Sequence, residues 1–154
     1  MNIQTQKLII EQADRNLSQL KPMEKINVPR KGWVSAIRAA LKMSLRQLGN
    51  RLKISAQSVK EIEEREVHGS ITIKSLQEVA NALDMKLVYG FVPKKENIEK
   101  IIERKAHEVA REIVLRTSNT MKLEGQENAG KRIDKAIKSK AEEIINKMPK
   151  YLWD

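Results

Sequence analysis

Four neighbouring side chains of this sequence have the chemistry to contact the edges of DNA bases. Gln57 carries an amide that can pair with adenine through two hydrogen bonds, and Ala56 can meet the methyl group of thymine. Glu61 can accept a hydrogen bond from cytosine but would repel phosphate. Together with Ser58, these residues lie on the face of a predicted helix opposite its apolar side, so this face is predicted to read bases.

Two short helices must position that face. Ser44 is predicted to cap the first helix, with Gln47 three residues later closing a capping box. Ser55 is predicted to cap the second helix in the same way, and only Lys53 and Ile54 separate the two helices. Such a short connection favours two helices that cross at a large angle, so the stretch 43–63 predicts a helix-turn-helix whose second helix enters the major groove.

Positive charge is concentrated around the same stretch. The chain of 154 residues has a net charge of +10, and residues 30–53 contain seven basic side chains and no acidic one. Such a distribution attracts phosphate, so double-stranded DNA with an operator sequence is the expected partner. The residues expected to position the domain on phosphates are Ser44, Arg46, Gln47 and Arg51.

The stretch resembles the Cro and phage-repressor class of helix-turn-helix domains. Gln47-Leu48-Gly49 matches the polar, leucine and small residues of the class, and Ile54-Ser55 with Val59 and Ile62-Glu63 matches its turn, cap and core spacing. The chain departs from the class at Lys53 and Arg65, where glycine is usual. The resemblance implies a mostly α fold, with a five-helix domain at residues 30–84 after an N-terminal helix and linker at 1–29.

Residues 85–93 differ from the rest because strand-forming side chains follow one another up to Pro93. This run predicts one β-strand. A lone strand needs a partner, and pairing with the same strand of a second copy is expected to give a homodimer, since no second strong strand is visible. The residues assigned to dimerisation are Leu87, Val88, Tyr89 and Phe91.

The C-terminal region is predicted to be helical. Residues 94–125 have the apolar spacing of one long helix, which ends near Thr120, Glu124 and Gly125. Residues 126–154 begin with a polar linker and continue as an amphipathic helix, which would pack on the body of the protein or bind a partner.

The end of the long helix resembles the inhibitory motif of Fic-domain regulation, a Ser/Thr, three residues, then Glu and Gly or Asn. The resemblance implies that Glu124 pairs with the toxin arginine that holds the ATP γ-phosphate, that Thr120 fixes the helix, and that Gly125 completes the motif. It therefore implies a Fic-domain toxin as partner and inhibition of AMP transfer.

Most of residues 7–127 also resemble the mobile mystery protein A group. The resemblance rests on residues 8–12, 30–38, the helix-turn-helix, 87–93 and 118–124. The group resembles an antitoxin-like component encoded beside a Fic-domain partner, which agrees with the motif at Thr120 and Glu124. The implied function is an antitoxin that also represses transcription from its own operator.

Other classes of function have little support in the sequence. There is no cysteine, the two histidines His68 and His107 are isolated, and no glycine-rich phosphate loop occurs. We therefore expect no enzyme, no catalytic residues, no cofactor and no metal. No apolar run has the length of a signal peptide or membrane span, so a cytoplasmic protein with no membrane partner is expected.

Two alternatives remain open from the sequence. One is a helix-turn-helix transcription regulator without a Fic partner, in which the C-terminal half serves oligomerisation or structure. The other is an antitoxin of a different toxin class that shares the DNA-binding domain.

Overall fold

The computed structural model describes residues 1–118 and 129–154, which form two compact units. One unit consists of residues 22–90, and the other of residues 1–21 together with 91–154. No helix in these ranges is both long and apolar enough to cross a bilayer. The α-helices are α1 Ile3–Leu20, α2 Trp33–Ala40, α3 Leu45–Leu52, α4 Ala56–His68, α5 Ile73–Ala82, α6 Ile98–Ser118 and α7 Ala129–Lys147, with short 3-10 helices at Lys21–Lys25 and Lys150–Trp153.

Capping side chains set the beginnings of the helices in the unit 22–90. The Ser44 hydroxyl accepts from the Gln47 backbone N–H at 3.1 Å, while the Gln47 side chain accepts from the Ser44 N–H at 2.8 Å. This is the predicted capping box, and it begins α3. Ser55 begins α4 by accepting from the Ser58 N–H, as the sequence also predicted.

The unit 22–90 is held together by one apolar core that draws on all four of its α-helices. Leu48 and Val59 have no exposed surface, so the two central helices meet at the middle of this core. The buried members are Val34, Leu48, Val59, Ile62, Val79 and Leu83. The prediction of a fifth helix in this domain is wrong, since residues 22–90 contain four α-helices and part of one 3-10 helix.

The predicted β-strand is also wrong. Residues 85–93 form no strand, and this run follows α5 without regular secondary structure. Strand propensity produces a strand only when another backbone supplies a hydrogen-bonded ladder, and no strand occurs in the described residues that could supply one. Of the side chains assigned to dimerisation, Leu87 is half-buried, while Val88, Tyr89 and Phe91 are exposed.

The turn between α3 and α4 contains a strained residue. Lys53 ends α3 with a φ of 58°, in the left-handed region that the missing glycine would have adopted without strain. At the end of α4, Gly69 takes the left-handed position with a φ of 77°. The helix therefore continues past Arg65 to His68, and the expectation that residue 65 occupies the glycine position is wrong.

Replacing Lys53 with glycine is expected to raise the free energy of unfolding by up to about 1 kcal/mol. Left-handed backbone costs an L residue about 1–2 kcal/mol, part of which is offset by the greater freedom of glycine in the unfolded chain. Urea unfolding followed by circular dichroism measures the change. Asn50→Gly is the matched control, since Asn50 lies inside α3 and glycine there should lower stability by roughly 0.3 kcal/mol. The prediction would be contradicted if Lys53→Gly lowered the free energy of unfolding as much as Asn50→Gly does.

The other unit is built from α1, α6, α7 and the 3-10 helix Lys150–Trp153. Its buried residues include two isoleucines, a leucine and three alanines, which allow α6 and α7 to approach closely. The Asp14 carboxylate of α1 caps α6 by accepting from the Ile98 N–H at 2.7 Å and the Glu99 N–H at 3.2 Å. The buried set is Ile102, Ala106, Ala110, Ala141, Ile144 and Leu152.

Candidate nucleic-acid interface

The N-terminal half of α4 presents the side chains predicted to read bases. Gln57 and Glu61 are exposed, and neither has a hydrogen bond or ion pair in the part of the chain that the structure describes. Ala56 is half-buried. Ser58 is also half-buried, and its hydroxyl lies 2.9 Å from the Ser55 hydroxyl within the helix cap. Gln57 and Glu61 are thus the side chains most available to a base edge.

The crossing of α3 and α4 depends on Gly49. A Cβ atom at this position would lie 2.6 Å from the carbonyl oxygen of Ile54 and 3.3 Å from backbone atoms of Ser55. The Gly49 carbonyl also accepts from the Ile54 N–H at 2.9 Å, which fixes the path of the turn. The turn that leads into α4 therefore passes so close to α3 that only a hydrogen side chain fits at residue 49.

An ion pair joins α4 to α2. The Arg38 guanidinium donates to both carboxylate oxygens of Glu63, at 2.5 and 3.2 Å, and also to the Met43 carbonyl at 2.9 Å. Both side chains are largely shielded from water. The hydrogen bond to Glu63 raises the pKa of Arg38 above its ordinary value, so the guanidinium stays charged. This bidentate pair orients the recognition helix on the body of the domain.

A second link between the same helices is made by Glu66. Its carboxylate accepts from the Trp33 N–H at 2.7 Å and the Val34 N–H at 2.8 Å, and so caps the N-terminus of α2. Gly32 precedes this cap with a φ of 85°, and a Cβ there would lie 2.8 Å from the carboxylate. Neither Arg38 nor Glu66 was predicted to position the site, because their partners lie 25 and more residues away along the chain.

Arg30 and Lys31 form a short basic arm before α2, and this arm lies at the far end of α4 from Gln57. Arg30 and Lys31 directly precede Gly32, whose neighbour is the Glu66 carboxylate. Glu66 lies nine positions after Gln57 along α4, which corresponds to roughly 13 Å at 1.5 Å per residue. The arm is therefore not beside the predicted reading residues.

The side chains predicted to contact phosphate have different environments. Arg46 is exposed and has no ion pair within the described residues. Ser44 and Gln47 are exposed but engaged in the capping box, which leaves the Gln47 amide nitrogen free to donate. Arg51 donates to the Ala82 carbonyl at 3.1 Å and so caps the end of α5.

The structure thus divides the seven cations of residues 30–53 into two groups. Arg38 and Arg51 are engaged within the domain. The remaining five are exposed and have no ion pair among the described residues, so their charge is available to an external anion. They are Arg30, Lys31, Lys42, Arg46 and Lys53.

Comparison with known proteins agrees with this geometry. A family model described as helix-turn-helix, of the Xre/Cro type, matches residues 34–89, roughly a third of the chain. No curated protein and no solved structure matches the chain. The match confirms the predicted helix-turn-helix, whereas the resemblance to the mobile mystery protein A group is not confirmed. Thr120, Glu124 and Gly125 lie outside the described residues. At residues 34–89 the chain carries an Xre/Cro-type helix-turn-helix domain of DNA-binding transcription regulators.

Proposed function

We propose that this protein is a sequence-specific repressor that binds operator DNA near its own promoter, and that it acts by binding rather than by catalysis. The observation that carries the proposal is the exposed face of α4 at Gln57, together with the five exposed cations of residues 30–53; within the described residues neither Gln57 nor these cations have an ion pair. Amide pairing with adenine supplies sequence preference, while Arg46 and its neighbours supply attraction to phosphate.

Gln57→Ala is expected to weaken binding to the operator by about 10- to 100-fold, because a bidentate amide–adenine pair is worth about 1–3 kcal/mol. Binding to unrelated DNA should be unchanged. Fluorescence anisotropy with DNA from upstream of the gene measures both affinities. Gln77→Ala is the matched control, since it removes an exposed glutamine from α5. Equal weakening on operator and unrelated DNA would assign Gln57 to general contact instead of base reading.

We further propose that the repressor binds as a homodimer to two half-sites about one helical turn apart. Support comes from the exposed apolar side chains Val88, Tyr89 and Phe91, which a second copy would cover. Sedimentation equilibrium and footprinting test this directly. A monomer that protects a single half-site would exclude the dimer.

The second function proposed is inhibition of a Fic-type toxin. Its support is the sequence Thr120-Met121-Lys122-Leu123-Glu124-Gly125, which matches the inhibitory pattern directly after α6. In that role Glu124 would occupy the arginine that otherwise orients the ATP γ-phosphate, and Thr120 would fix the helix.

AMP transfer by a Fic-domain protein encoded beside this gene tests the second function. Wild type and Gln57→Ala should silence transfer, and Glu124→Ala should not. If Glu124→Ala inhibits as well as wild type, the motif match is fortuitous. The chain is then a transcription regulator alone or the antitoxin of another toxin class.

A further inference from the structure

A groove in the unit formed by residues 1–21 and 91–154 carries an inference independent of DNA binding. The groove lies among α1, α6 and the end of α7, and its volume is about 300 Å³. Ile10, Ile145 and Met148 in its lining also pack against the buried cluster around Ile102, so the groove floor is continuous with the core. The apolar lining consists of Ile3, Ile10, Ile102, Ile145 and Met148.

The charges around this groove oppose those of the chain as a whole. Four carboxylates and one cation, Lys7, line it, although the chain has 30 basic and 20 acidic side chains. The carboxylates belong to Glu11, Asp14, Glu99 and Glu103. The groove is therefore locally negative, and it would repel DNA or an anionic lipid surface.

Only some of these carboxylates are engaged within the protein. Asp14 accepts from two backbone N–H groups at the start of α6, and Glu103 is paired with Lys100 at 3.0 Å. Glu11 and Glu99 are exposed and have no ion pair among the residues that the structure describes. Two negative charges therefore remain available beside an apolar floor.

We propose that this groove docks a basic amphipathic helix of a partner protein. The volume lies at the lower end of the range for ligand pockets, about 300–1,000 Å³, and holds a few aliphatic side chains. A helix that presents such side chains one turn apart, flanked by lysine or arginine, matches both the apolar floor and the free carboxylates. Its cations pair locally with Glu11 and Glu99.

The test uses the full chain without DNA and a fluorescein-labelled model helix made of leucine and lysine. Glu11→Gln combined with Glu99→Gln is expected to weaken binding about 3- to 30-fold at low ionic strength, since each exposed charge pair contributes modestly. Ile3→Ser should also weaken binding severalfold, and because Ile3 is already about half exposed (49%), this change spares the fold. Fluorescence anisotropy gives the affinities.

Glu112→Gln combined with Glu142→Gln is the matched control, because both residues are exposed, lie in the same unit and do not line the groove. The control pair should bind like wild type. Equal weakening by both pairs would overturn the proposal. A second outcome would also overturn the proposal: wild type self-associates in sedimentation experiments and the Glu11→Gln, Glu99→Gln variant does not. The groove would then bind a second copy of this chain instead of a partner protein.

Discussion

Replacing Gly49 with alanine is expected to lower operator affinity at least about tenfold and to destabilise the unit 22–90 by about 1–3 kcal/mol. The added Cβ would lie 2.6 Å from the Ile54 carbonyl oxygen, and a backbone atom cannot rotate away as a side chain can. The turn must therefore move away from α3, and α4 moves with it, which displaces Gln57 relative to Arg46. Anisotropy on operator DNA and urea unfolding measure the two effects.

Gly130→Ala is the matched control for this substitution. Gly130 lies within α7, and a Cβ there meets no atom within 4 Å. Alanine favours helix over glycine by about 0.5–1 kcal/mol, so this variant should be as stable as wild type or slightly more so, with unchanged DNA affinity. If Gly49→Ala binds operator as tightly as Gly130→Ala does, the close crossing of α3 and α4 is not needed for recognition.

Truncating the two buried cores is expected to have separate consequences. Leu48→Ala should lower the stability of the unit 22–90 by about 2–5 kcal/mol, since Leu48 is fully buried at the centre of that core. Ile144→Ala should cost the other unit a similar amount, because Ile144 is 1% exposed. Only Leu48→Ala should reduce operator affinity.

Hydrogen exchange read by mass spectrometry distinguishes the two variants. Leu48→Ala should accelerate exchange in peptides from α3 and α4, and Ile144→Ala in peptides from α6 and α7. The two buried clusters share no residue, which is the basis of this expectation. Loss of protection throughout the chain in either variant would show that the two cores unfold as one cooperative body.

Local chemistry explains which structural predictions were confirmed. The Ser44 and Gln47 capping box and the Ser55 cap join residues three apart, so their hydrogen bonds form whenever the helix does. Lys53 was singled out because the class usually has glycine at that turn position, and its φ of 58° is in the left-handed region. The base-reading and phosphate assignments remain predictions, since no comparison tests them.

Predictions that depended on distant partners were less successful. The run at residues 85–93 has strand-forming side chains, but strand structure requires a second backbone, which the sequence of one segment cannot provide. On α1, the apolar side chains of Leu8 and Ile9 are exposed, whereas Ile10 packs against the core. The choice of face depended on how α6 and α7 are placed.

The sequence by itself determined the helix-turn-helix, its caps and the chemical character of the exposed face of α4, because these arise from residues within a few positions of one another. Only the tertiary structure decided which charged side chains are free to bind an external partner. It engages Arg38 with Glu63, Arg51 with Ala82 and Asp14 with α6, across separations of 25 to 85 residues. Hydrogen bonds over such separations form only when packing of the apolar cores brings the helices together, and so a side chain's freedom to bind a partner follows from the fold.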